Sequence, residues 1–120
     1  MEVFHLVSSD ETPEVILDSA KGHFEISGRS LPEDAVSFFN PIMDWLRAYG
    51  ASPNPTTAFV FKLDYFNTAS SKLILDLLHV LKDIKGIQIV WYSYADDEEV
   101  QDAGTEFSEQ VEVPFEFRSR

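Results

Sequence analysis

Thr57-Ala-Phe-Val-Phe-Lys-Leu-Asp-Tyr-Phe-Asn67 is the stretch on which the fold turns. From Thr57 to Phe66 the aromatic and β-branched residues are dense enough for a central strand. Asn67 follows at once as a helix cap, because its short side chain can accept from a first-turn amide that lacks an intrahelical partner. Beyond it, Leu73, Ile74, Leu77, Leu81 and Ile84 recur at helical spacing, so a helix is expected over residues 68 to about 84, ended by Gly86. Residues 87–94 (IQIVWYSY) form a second strongly buried strand. Two strands joined by a helix of that length imply a parallel crossover and a sheet covered by helices.

Upstream, residues 14–18 and 22–27 read as two short strands joined by a turn near residues 20–22. Ser30-Leu-Pro-Glu33 has the form of a helix start, with Ser30 as the cap and Glu33 reaching back to it. Pro32 is tolerated there because first-turn amides are free. The helix that follows buries Phe38, Phe39, Ile42, Leu46 and Tyr49, and Pro41 within it implies a kink or a restart capped by Asn40. Downstream, the acidic residues 96–99 open a third helix, where carboxylates complement the positive end of the macrodipole. Residues 113–117 can supply a last edge strand. The expectation is a single α/β sandwich over residues 1–120, a mixed sheet of about five strands with three helices packed on it.

Composition narrows the function. A net charge of −12 repels phosphate backbones and anionic lipid, so it argues against nucleic-acid or membrane partners. The absence of cysteine removes disulfides, thiolate metal sites and a cysteine nucleophile, and fits a reducing, cytoplasmic setting. The opening residues lack the basic and apolar regions of a secretory signal, and no stretch approaches the length of a membrane span. His5, His23 and His79 fall on different elements without the spacing of a metal pair. The acidic run at 96–99 lacks the alternating ligands and glycine of a calcium loop. There is no phosphate-binding glycine loop and no Gly-x-Ser-x-Gly elbow. The reading is of a cytoplasmic binding protein, not an enzyme, without cofactor or metal.

The helix after Asn67 carries the candidate surface. At about 100° per residue, Ser70 falls on the core side with the leucines, whereas Thr68 points outward with Lys72, Leu75, His79 and Lys82. The outward face therefore holds a hydroxyl at the helix start, an exposed leucine and two lysines.

Three stretches, Gly28-Arg-Ser-Leu-Pro-Glu-Asp-Ala35, Phe38-Phe-Asn-Pro-Ile-Met-Asp-Trp45 and Asp64-Tyr-Phe-Asn-Thr-Ala-Ser-Ser-Lys72, resemble the SiaC family of regulatory phosphoproteins. That family is similar to anti-sigma-factor antagonists of the STAS type in fold and logic. The most specific part is Tyr-Phe-Asn-Thr-x-Ser-Ser, and the resemblance implies that its threonine, Thr68, is the phosphoacceptor. It further implies a serine/threonine kinase of the anti-sigma-factor type, an opposing PP2C-type phosphatase, and a diguanylate cyclase activated by the unmodified form, with cyclic di-GMP and biofilm formation as output. Partner contacts are then expected at Asn67, Thr68, Lys72, Leu75 and His79. Physics agrees with a switch there: a phosphate brings about −1.5 to −2 charge, and a helix N-terminus accepts an anion without unfolding. Lys72 can pair with it, and a dianion beside Leu75 blocks an apolar contact. The alternative is a STAS-like domain that binds a small apolar or nucleotide ligand, with the aromatic-rich strands as pocket walls.

Overall fold

Described over all 120 residues by a computed structural model, the chain runs β1 (Phe4–Leu6), β2 (Glu14–Asp18), β3 (His23–Ser30), α1 (Ala35–Gly50), β4 (Thr57–Phe66), α2 (Thr68–Lys82), β5 (Ile87–Ser93), α3 (Glu98–Val111) and β6 (Phe115–Ser119). The six strands form one sheet in sequence order. β1, β2 and β3 pair antiparallel, and β3 to β6 pair parallel. With neighbours in sequence order, three crossovers of one hand leave all the helices on the same face. The packing agrees, α1 lying against α2 and α2 against α3. The sheet thus has one covered face and one open face.

Alternation decides what each face carries. Along β4, Thr57, Phe59, Phe61 and Leu63 are buried under the helices, while Ala58, Lys62 and Asp64 turn away. Phe24 and Ile26 of β3 and Ile89 and Trp91 of β5 complete the covered layer, against Phe39, Ile42 and Leu46 of α1 and Ile74, Leu77 and Leu81 of α2. The open face is laced with ion pairs, among them Lys62–Glu25 at 3.7 Å and Arg118–Glu116 at 2.7 Å.

The mixed α/β expectation holds, with six strands in place of about five. The additional strand is β1, whose three residues are too few to show a period. It pairs with β2, and beside it Trp45 Nε1 donates to the Glu2 carbonyl at 3.0 Å. The cap of the first helix is Asp34, not Ser30: Asp34 accepts from the Ser37 amide at 3.1 Å and from the Ser37 hydroxyl at 2.8 Å. Those bonds stabilise the charged carboxylate and hold its pKa below the ordinary value. Ser30 is the last residue of β3, fully buried, and Glu33 is exposed. Nor does Asn40 restart the helix, which is continuous through Pro41. Ser37 and Pro41 are both exposed, so the carbonyl left without an amide partner faces water. α2 ends at Lys82, two residues early, and β6 begins two residues later than expected. No helix is long and apolar enough to cross a membrane.

Candidate functional site at the start of the second helix

The junction between β4 and α2 is fastened at several points. Asn67 has an extended backbone and accepts from the Ser70 amide through its side chain at 2.8 Å, and its own amide donates to the Ser30 carbonyl at 3.1 Å. Beneath, the Ser30 hydroxyl donates to Ser70 Oγ at 2.9 Å, and both serines are fully buried. The end of β3 is thereby tied to the first turn of α2. Thr68, the first helical residue, stands on this base and is exposed, while Ser71 is half-buried. Of the three hydroxyl residues in this turn, Thr68 is the most exposed.

The outward stripe divides further along. Lys72 and His79 are exposed and border a groove of about 800 Å³ between α1 and α2, floored by Met43, Leu46, Leu73 and Val80. Leu75 lies on the other flank of α2. It is half-buried and packs against the core, which corrects the expectation of an exposed leucine. The helical projection placed Ser70 inside and Thr68 outside correctly but missed the cover over Leu75, because it could not locate α3, which packs against α2.

Sequence reasoning missed Ser30, taking for a cap what is half of a buried hydroxyl pair. The signal was the alternation Phe24, Ile26, Ser30, which keeps the strand running to the serine. The pair allows a quantitative check. Ser30→Ala leaves the Ser70 hydroxyl buried without this partner and should cost about 1–3 kcal/mol, whereas the double replacement by alanine should cost little more than either single one. Urea denaturation of the three variants tests this; strictly additive losses would show that the hydroxyls do not depend on each other.

Aromatics of β4 and β5 fill the core. Phe59, Phe61 and Trp91 are buried and packed on one another, with ring centroids 5.0 and 5.3 Å apart. One strand aromatic, Phe117, borders a cavity of about 390 Å³ together with Ser93, Gln101 and Arg118. The histidines remain apart: His5 contacts Glu14, His23 contacts Glu25, and His79 borders the helix groove. No three His, Asp or Glu side chains gather as a metal site would require.

Comparison with known proteins places this geometry. The profile described as SiaC family regulatory phosphoprotein matches residues 6–120, nearly the whole chain. The chain belongs to the SiaC family. An uncharacterized protein of Pseudomonas aeruginosa strain UCBPP-PA14 is 26% identical over 119 residues, covering 96% of this chain and 94% of that protein. Among solved structures, apo-SiaC from Pseudomonas aeruginosa is similar with a TM-score of 0.88 at 25% identity, covering 98% of this chain and 99% of that one. SiaC crystallised in complex with the diguanylate cyclase SiaD, of which it is the activator, gives a TM-score of 0.90 at 25% identity with the same coverage. The SiaC-family fold thus extends over essentially all of this chain.

Proposed function

We propose that this chain, as one regulatory domain over residues 1–120, is a cytoplasmic partner-switching protein controlled by phosphorylation of Thr68. In the unmodified state it binds and activates a diguanylate cyclase. A serine/threonine kinase of the anti-sigma-factor type adds the phosphate, and a PP2C-type phosphatase removes it. The protein catalyses no step itself. The observation that carries this reading is the exposed Thr68 hydroxyl at the first position of a capped helix, above a buried Ser30–Ser70 pair that shields the competing hydroxyl. Support for the output partner is the similarity to a SiaC bound to the cyclase it activates. Asn67, Thr68, Lys72, Leu75 and His79 make up the proposed contact surface: Asn67 and Thr68 at the helix start, Lys72 and His79 beside the groove, and Leu75 on the opposite flank.

Phosphorylation by the organism's own kinase should add one phosphate, on Thr68. Peptide mapping and intact mass check this, and Thr68→Ala should take up none. Phosphate on Ser70 or Ser71 that persists in Thr68→Ala would refute the assignment.

A further inference from the structure

The stretch leading to Thr68 also holds a tyrosine that the switch does not use. Tyr65 is the penultimate residue of the central strand yet is 47% exposed. A bulge explains it. Gly28 faces Leu63 and the next residue, Arg29, faces Tyr65, so Asp64 is an extra residue on β4. Leu63 is buried in the core, and Phe66 packs against Trp91 and Phe107, both on the covered face. Asp64 and Tyr65 between them therefore turn together to the open face.

There Asp64 accepts from Arg120 Nη1 at 2.9 Å, and the Arg120 guanidinium lies 4.5 Å above the ring of Tyr94. The Arg120 amide donates to the Ser93 carbonyl, and its side chain is only 19% exposed, so the cation is held in place. Tyr94 is 45% exposed. Of the four tyrosines, Tyr49 is buried and Tyr92 is half-buried under Lys62 and Arg118. Tyr65 and Tyr94 are the two exposed ones, each a little under half open to solvent, at the same end of the sheet as Thr68. Four of the chain's nine Lys and Arg (Arg29, Lys62, Arg118 and Arg120) lie on this face, three of them paired with Glu25, Glu116 and Asp64.

We infer that Tyr65 and Tyr94, with the Asp64–Arg120 pair between them, form a protein-docking patch that carries the Thr68 surface around the end of the sheet onto its open face. Its occupant is the diguanylate cyclase of the proposed switch, through a surface that offers apolar sockets for two rings and hydrogen-bond acceptors for their phenols. The inference rests on that switch, since continuity with Thr68 is the reason one partner covers both. Tyrosine and arginine are the side chains on which interfaces concentrate their energy, and a tyrosine ring gives large contact area at little cost in rotamer freedom.

The test is a titration of the same organism's diguanylate cyclase against the unphosphorylated full chain, Tyr65→Ala, Tyr94→Ala and Gln88→Ala, the last exposed near the opposite end of the same face. Each tyrosine variant should bind about ten-fold more weakly or worse, with an unchanged melting temperature, and Gln88→Ala should bind as the wild type. Wild-type binding with both tyrosine variants unaffected overturns the patch and leaves the switch standing. An equal loss in Gln88→Ala also overturns it, since the face would then act without a centre. A wild-type chain that does not bind the cyclase overturns the output of the switch and this occupant together.

Discussion

Trp91→Ala is expected to lower the unfolding free energy by about 3–5 kcal/mol, the range for emptying a buried aromatic site. Trp91 is 1% exposed and sits at the centre of an aromatic cluster, with ring centroids 5.3 Å from Phe61, 5.7 Å from Phe107 and 6.5 Å from Phe115. Its Nε1 donates to the Val100 carbonyl at 2.9 Å, which ties β5 to α3. The indole fits only because α3 carries no side chain at Gly104, where a Cβ would lie 2.4 Å from Nε1. This gives a second variant whose sign is informative. In an ordinary helix, glycine to alanine gains about 1 kcal/mol. Here Gly104→Ala must displace the indole or the helix, so it should cost about 1–3 kcal/mol instead. A small domain has only about 5–15 kcal/mol of stability to lose, so both changes will be plain in urea denaturation. A stabilised Gly104→Ala would mean that α3 does not rest on Trp91.

The second large effect is expected at Thr68 and should leave the fold untouched. A phosphate there sits at the first helical position, where free amides and the macrodipole favour an anion by about 0.3–1 kcal/mol. The melting temperature should hold or rise slightly. Binding of the cyclase should fall about a hundred-fold or more, because burying a dianion in a contact that does not pair it costs several kcal/mol and each 1.4 kcal/mol is about ten-fold in affinity. Thr68→Asp, with less charge and bulk, should weaken binding in the same direction and to a smaller extent, again without loss of stability. Calorimetric titration and thermal melts on the same samples separate the two effects. A large drop in melting temperature would make Thr68 a structural residue, not a switch.

How much of this was legible in the sequence depended on the length of each pattern. β4 and β5 are long and rich in aromatic and β-branched residues, and both stand where the sequence places strands, at Thr57–Phe66 and Ile87–Ser93. The period of α2 placed Ser70 inside and Thr68 outside, as its burial pattern has it. Where a residue had two plausible local roles, the sequence could not choose between them. Ser30 and Asp34 can each cap a helix, and only the continuation of β3 next to β4 reserves Ser30 for the sheet. A helical wheel gives the burial of Leu75 from its own helix alone, and the neighbour that half-covers that flank is set by topology. Tyr65 belongs to the motif, but its outward turn comes from a bulge between two strands far apart in the chain, which no local pattern records.

The central claim is that the phosphorylation state of Thr68 decides whether the cyclase is active. It is tested most directly by the rate of cyclic di-GMP formation by the same organism's cyclase in the presence of unmodified chain, chain phosphorylated on Thr68, and Thr68→Ala treated with the kinase. The account predicts that the unmodified chain and Thr68→Ala raise the rate and that the phosphorylated chain leaves it at the level of the cyclase alone. Equal activation by the phosphorylated and unmodified chains would contradict it.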